Sequence, residues 1–329
     1  MRNVTDMSER NGIAIAGTIL VDQINEISAY PNAGELTQIR RVSKAVGGCV
    51  PNVSIDLKRI DPELSIKAVG KIGKDDSGDF LKNVLSENGV DTEHLVYSSD
   101  ATSFTQVMSI IGGQRTFFTY AGACADFGAD DVNVDALNVK MLHIGYFLLL
   151  DKMDNGDGIK LLKKATEAGI KTSIDLVSEN SDRYSMILPC LPYTDNLIIN
   201  ELEAGKLAGI EPKSENLRAI AEKLKALGVR ERVIIHMKDR GVCLSDKGFT
   251  ALGAYDVPRE WIKGTTGAGD AFCAGALLGI YRGMSDEETL DLASAAAIGA
   301  LSAPDAISGM RSERELFELC KNVKRYEIC

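Results

Sequence analysis

Histidine and tryptophan are scarce in this chain: His94, His143 and His236 are the only histidines among 329 residues, and there is one tryptophan. The three histidines lie far apart, without metal-ligand spacing, so a histidine-built zinc centre is not suggested and they read as structural. The seven cysteines, Cys49, Cys124, Cys190, Cys243, Cys273, Cys320 and Cys329, stand singly. With no C-x-x-C pair they suggest neither a zinc knuckle nor a thioredoxin-like site, and an odd, scattered set reads as reduced thiols. Cationic excess is also missing. A net charge of −10 argues against nucleic acid or an acidic membrane as partner. It leaves room for an anionic substrate, because a site can be locally positive or lined with backbone N–H groups. Long apolar runs are absent: "HIGYFLLL" is far too short to span a membrane, and the polar start "MRNVTDMSERNG" lacks the apolar core of a signal peptide. The expectation is a cytoplasmic protein. Three familiar motifs are lacking as well. There is no G-x-x-x-x-G-K-[ST], no G-x-G-x-x-G after the first strand and no G-x-S-x-G elbow, so a Walker A loop, a dinucleotide site and a hydrolase nucleophile are not supported.

What the chain does have is alternation. Short apolar runs at 12–20, 66–73, 141–150, 171–176, 196–200 and 232–237 read as strands. Helical patterns fill 75–89, 157–168, 201–208 and 214–228; in the last, Leu217, Ile220, Ala221, Leu224 and Leu227 share one face and Gly228 closes the helix. Such alternation argues for an α/β fold, a mostly parallel sheet with helices on both faces. Residues 23–45 and 101–122 break it. The second stretch reads as a hairpin turning at Gly112-Gly113. Both look like a small β-flap on the main sheet, or an ordinary surface hairpin. With no internal repeat and no linker, the chain reads as one domain over 1–329.

Four constellations could carry chemistry. In "GTTGAGDAFCAGALLG", Gly267-Ala268-Gly269 should sit at a helix N-terminus, where free N–H groups and the helix dipole favour an anion. Asp270 beside them either takes a proton from a hydroxyl attacking a bound phosphate or merely caps the helix. In "AVGGCVPN", Gly47 and Gly48 precede a helix whose first turn holds Asn52, an amide with both donor and acceptor. Asp22 ends an apolar strand, well placed to accept from two sugar hydroxyls or simply solvated. In "NELEAG", Asn200 and Glu203 sit where a strand meets a helix; there a carboxylate can hold magnesium-bound water, or start a helix.

The pattern "TTGAGDAFCAGAL", preceded by "GGCVPN" near the start and "NELEAG" in the middle, resembles that of the PfkB-type, or ribokinase-like, carbohydrate kinases, over roughly Ile13 to Ser308. The resemblance implies a three-layer α/β/α core with a β-flap lid formed by about 23–45 and 101–122. It implies ATP-dependent transfer of the γ-phosphoryl group to a sugar hydroxyl, with magnesium. Asp270 matches the catalytic base and Gly267, Ala268 and Gly269 the anion hole. Asp22, Gly47, Gly48 and Asn52 match sugar-binding positions. Asn200 and Glu203 match an N-x-x-E element, Glu203 acting indirectly on magnesium. Gly241, with Lys238 near it, falls in the nucleotide loop, and the helix around Ser294 and Ala297 should border the adenine. In several members two lids clasp into a homodimer.

This chain also departs from the pattern. Many relatives carry an aspartate where Gly264 stands, an acid that helps hold a monovalent cation, so potassium activation is in doubt. Cys49 stands where ribose-specific members have lysine, and Leu20 where they have asparagine. Lys238 stands where relatives often have glycine. Ribose is therefore not the expected sugar. A nucleoside kinase, with Phe104, Phe117, Phe118 and Tyr120 lining a larger pocket, is one alternative; a non-catalytic sugar-binding protein is another. A phosphosugar substrate ranks lower, with Arg115 the one obvious cation of the flap.

Overall fold

A computed structural model describes residues 10–110 and 114–328. The Gly112-Gly113 turn, the first nine residues and Cys329 lie outside them.

Nine strands form the main sheet in the order β13-β12-β11-β10-β9-β8-β1-β4-β5. These are β1 (Ile13–Gly17), β4 (Ile66–Ile72), β5 (Asp91–Tyr97), β8 (Met141–Phe147), β9 (Lys171–Leu176), β10 (Asn196–Asn200), β11 (Arg232–His236), β12 (Arg240–Ser245) and β13 (Gly248–Gly253). From β5 to β11 every pairing is parallel; β12 and β13 fold back antiparallel at one edge. The central strands are apolar runs buried on both faces, as a sheet covered on both sides requires.

Helices α1 (Cys49–Ile60), α2 (Asp76–Glu87), α3 (Gly158–Glu167), α4 (Glu201–Ala208), α5 (Leu217–Ala226), α6 (Ala268–Tyr281), α7 (Asp286–Leu301) and α8 (Glu313–Cys320) supply the outer layers. On one face α1, α6, α7 and α8 pack in series; on the other α3, α4 and α5 lie around a 3₁₀ segment, Arg183–Tyr193. The apolar stripe of α5 is buried through Leu217, Ile220, Ala221 and Leu224. The helix ends at Ala226, so Leu227 is exposed rather than part of the stripe. Close packing of α6 on α7 rests on small residues: a Cβ at Gly275 would lie 2.6 Å from the Ala293 Cα. α7 opens on the expected capping box, with Ser285 Oγ accepting from the Glu288 N–H and the Glu288 carboxylate accepting from the Ser285 N–H.

The two stretches that break the alternation form a second sheet, ordered β3-β2-β6-β7, from β2 (Leu20–Ile27), β3 (Ile39–Gly47), β6 (Phe104–Ile110) and β7 (Arg115–Tyr120). Its central β2–β6 pairing is parallel and the flanking ones antiparallel. Register puts Asp22, Ile24, Val107, Phe117 and Arg115 on one face and Val42, Phe118 and Tyr120 on the other. Leu20 therefore begins this sheet rather than ending β1, and Asp22 lies inside β2 rather than at the end of an apolar strand. No helix among the described residues is long and apolar enough to cross a membrane.

Candidate active site

The parallel strands share one carboxyl edge, and the strand order changes direction between β1 and β8. Ligand crevices form at such switch points. Here Gly17 of β1 pairs with Gly145 of β8. Side chains at either glycine would collide: a Cβ at Gly145 would lie 2.5 Å from Cys49 Sγ. The bare backbone lets the first turn of α1 settle onto the sheet edge. That placement brings Asn52 across to α6, where its Nδ2 donates to Asp270 Oδ2 at 2.9 Å. The Tyr146 hydroxyl, at the end of β8, donates to the same oxygen at 3.0 Å.

Asp270 is 5% exposed, and burial pushes its carboxyl up to about 7. The Asn52 and Tyr146 hydrogen bonds pull it down, while the Asp175 and Asp22 carboxylates push it further up. The start of α6 carries no side-chain cap. Gly267 has φ 80°, and a Cβ there would lie 2.6 Å from the Ala306 Cα, so only glycine fits. A Cβ at Gly269, in contrast, would meet only His236 Cε1, at 3.8 Å, because this backbone borders open space. Uncapped N–H groups beside open space are the donor set an anion needs.

That space is a cleft of about 210 Å³ lined by Gly267, Gly269, Asp270, Asn200, Glu203, Asp175, Tyr146, Cys273 and His236. Glu203 is buried, and its carboxyl is pushed up to about 7, chiefly by burial. Oε1 accepts from Ser178 Oγ at 2.8 Å and Asn200 Nδ2 at 2.7 Å; Oε2 accepts from the Asn200 N–H at 3.0 Å. Asn200 in turn caps α4 through its own Oδ1. The two readings of "NELEAG" are thus not exclusive: the capping box aims Glu203 into the cleft. His236 also lines the cleft, its ring 4.7 Å from Phe272, and burial lowers its pKa to about 4.

On the flap side of Asp270 lies a second cavity, of about 270 Å³, bordered by Asp22, Lys44, Phe80, Phe117, Arg115, Thr266 and the 304–308 turn. Asp22 is half-buried, with its carboxyl raised to about 6 by burial and eased down by Arg115. Gly47 packs on it; a Cβ there would sit 2.7 Å from Asp22 Oδ2. Gly48, with φ 87°, packs just as tightly on the Thr18 carbonyl. The glycine pair thus seats Asp22 and α1. Arg115 reaches across from the flap and donates to Thr266 Oγ1 at 3.2 Å. Of the four aromatics considered for a nucleoside pocket, only Phe117 borders this cavity; Phe104 and Tyr120 pack on each other at 5.3 Å.

The structure thus brings Asn200, Glu203, Gly267, Gly269 and Asp270 together around one cavity, sets Asp22 at the other, and joins Asn52 to Asp270 by a hydrogen bond. Lys238, Gly241, Ser294 and Ala297 lie apart from them. Lys238 is exposed in the turn after β11; Gly241, in β12, turns its bare Cα to Leu290 and Phe272; Ser294 is buried and Ala297 half-buried on α7. Two site residues had no signal in the motifs. Tyr146 closes an ordinary apolar strand, and Asp175 sits in "SIDL", yet its Oδ1 accepts from the Tyr146 N–H at 2.5 Å and its Oδ2 pairs with His143 at 3.2 Å. His143 bridges Asp175 and Ser173 within the sheet.

Residues 13–313 match the family model described as pfkB family carbohydrate kinase. A ribokinase of Arabidopsis thaliana is 25% identical over 315 residues, covering 94% of this chain and 81% of its own. Fructokinase-1 of Zea mays is 27% identical over 323 residues, covering 92% and 95%. Among solved structures, Arabidopsis thaliana ribokinase complexed with ribose and ATP superposes with a TM-score of 0.80 at 21% identity, over 95% of this chain and 99% of that one. Xylella fastidiosa fructokinase with bound ATP gives 0.78 at 19%, over 95% and 98%. The fold is ribokinase-like, and the chain belongs to the pfkB family of carbohydrate kinases, phosphotransferases that use an alcohol group as acceptor.

Proposed function

We propose that this sugar kinase transfers the γ-phosphoryl group of ATP to a hydroxyl of a small sugar, with Asp270 as general base. One observation carries the reading: Asp270 is a buried carboxyl, pushed up to about 7, set at an uncapped glycine-rich helix start where it lines the 210 Å³ cleft. A base poised near neutral pH suits proton removal from an alcohol as it attacks. The sugar lies in the flap-side cavity. Asp22 accepts from its hydroxyls, and Asn52 Oδ1, buried without a partner, is the acceptor still free for it. The triphosphate lies in the other cleft, with its terminal phosphoryl over Gly267–Gly269. Lys238, Gly241, Ser294 and Ala297 flank the nucleoside end. ATP bound in the related ribokinase and fructokinase structures supports the choice of donor.

Magnesium fits the donor set of this cleft. A buried, hydrogen-bonded carboxylate, Glu203, faces the phosphate end and would accept from metal-bound water rather than bind the ion directly. When bound, the ion neutralises phosphate charge. The chain's own part is positioning and electrostatics: N–H groups at Gly267–Gly269 for the transferring phosphoryl, Asp270 for the hydroxyl proton, and the flap to exclude water.

A second reading concerns the sugar. Lys44 joins Arg115 at the cavity, its Nζ 4.5 Å above the Phe80 ring, and neither cation has an ion-pair partner among the described residues. This favours a sugar bearing a phosphate or carboxylate over the nucleoside alternative. The exposed Val42, Phe118 and Tyr120 on the outer flap face support a homodimer through the lid.

The test is Asp270→Asn with magnesium, ATP and a panel of neutral sugars, sugar acids, sugar phosphates and nucleosides. ATP binding should persist while turnover falls roughly 10²–10⁴-fold. Near-parental turnover would overturn the base assignment. Sugar binding without ATP turnover in the parent would identify a non-catalytic protein.

A further inference from the structure

Only three non-glycine residues with positive φ occur among the described residues, and two of them, Tyr146 at 61° and Leu148 at 80°, flank Phe147 at the end of β8. Left-handed backbone is strained for a bulky residue and persists only where its surroundings enforce it. The enforcement is visible. Asp175 Oδ1 accepts from the Tyr146 N–H at 2.5 Å. Asp154 accepts from the Leu148 and Leu150 N–H groups at 2.9 and 3.2 Å. Arg183 donates to the Leu148 carbonyl at 2.8 Å. Three charged side chains thus hold one short strand exit, and what they deliver into the cleft is the Tyr146 hydroxyl, 3.0 Å from Asp270 Oδ2.

We infer that Tyr146 is a positioning residue: with Asn52 it pins Oδ2 of Asp270, leaving Oδ1 as the oxygen presented to the acceptor hydroxyl. The inference rests on Asp270 being the base. Both fixed donors converge on one oxygen, so the carboxylate cannot rotate without losing two buried hydrogen bonds. Each is a bond from a neutral donor to a charged acceptor, the stronger kind. Held this way, the free oxygen has one orientation, which in-line attack on a phosphoryl group over Gly267–Gly269 requires. Asp175 acts one step behind, locking the backbone turn that sets the reach of the ring.

The test is Tyr146→Phe, which removes one oxygen from a ring that stays packed. Turnover should fall roughly 10–100-fold, as expected for loss of a hydrogen bond to a charged group, with ATP affinity and thermal midpoint close to the parent. The acidic limb of the turnover–pH profile should also move to higher pH, because a donor that stabilises ionised Asp270 is gone. A packing defect alone would not move that limb. Site-specific 3-fluorotyrosine at 146, a stronger donor, should move it to lower pH; this arm decides the matter if the Phe variant does not fold. Parental turnover together with an unmoved limb in these variants overturns the inference. Asp270→Asn run alongside separates the failures: if that variant stays active, the base reading falls and Tyr146 with it; if it is dead while Tyr146→Phe matches the parent, only the positioning role falls.

Discussion

Asn52 Nδ2 donates to Asp270 Oδ2 at 2.9 Å, joining two residues 218 positions apart in the chain. The amide's other end, Oδ1, is buried and unpartnered. One side chain thus holds the carboxylate and keeps a buried acceptor free. Asn52→Leu should remove both, lowering kcat/KM for the sugar roughly 10–100-fold while leaving ATP affinity unchanged. Asn52→Asp should be worse at pH 7, since a second carboxylate against Asp270 raises its pKa further. Steady-state kinetics with the sugar varied at saturating ATP, together with calorimetric titration of a non-hydrolysable ATP analogue, check both. A larger effect on nucleotide binding than on the sugar would contradict this geometry.

The pH dependence follows from burial. Burial raises Asp270 and Glu203 to about 7 and Asp22 to about 6. Asp270 must be ionised to take a proton, and Glu203 and Asp22 must be ionised to accept hydrogen bonds from metal-bound water and sugar. Turnover should therefore climb from about pH 5.5 to pH 8, the steepest rise falling near 7 where two groups titrate together. A profile already flat at pH 5.5 would mean that none of these carboxyls is the base.

The same burial acts on stability, with the opposite sense. The Asp270 pKa is raised in the folded state, so folding favours its protonated form. The associated stability is present below pH 3.8, the unfolded-state value, and is lost as pH rises through about 7. Asp270→Asn keeps an acceptor for Asn52 and Tyr146 and carries no charge. It should be more stable than the parent at pH 8–9, by on the order of 1–4 kcal/mol, with the gain shrinking towards pH 5. Denaturant unfolding at the two pH values measures this. A variant less stable at both would show that the charge is compensated by something other than these two donors.

Much of the frame is legible in the sequence because it is local. Apolar runs bounded by Gly and Asn give the central strands, and S-x-x-E gives the start of α7. Glycines with one carboxylate mark the start of α6. What is not legible is either edge-like or distant. β5, with Asp91, Glu93 and His94, is half-exposed and lacks an apolar run; β12 and β13 are the antiparallel strands at one end of the sheet, with little alternation. Tyr146 and Asp175 escape for another reason. Their role arises from the β8–β9 pairing and from a left-handed turn that no sequence pattern announces at a tyrosine. Lys44 is likewise an ordinary strand residue until the flap folds beside Phe80.

Gly264 stands against crowded backbone, and the packing shows why an acid is not simply interchangeable there. A Cβ at Gly264 would lie 2.9 Å from the Ala303 carbonyl oxygen and 3.0 Å from that of Pro304. The next segment is tied down on both sides, with the Lys263 N–H donating to the Leu301 carbonyl at 2.9 Å and Asp305 accepting from the Ser308 N–H at 2.7 Å. Two backbone oxygens held this way cannot yield as a flexible side chain would. Gly264→Asp should therefore cost roughly 1–3 kcal/mol of stability, the usual cost of overpacking, without conferring activation by potassium. The parent should turn over at the same rate in potassium chloride and in choline chloride of equal ionic strength. Thermal unfolding and paired salt assays measure these expectations; severalfold activation of the parent by potassium would overturn the second.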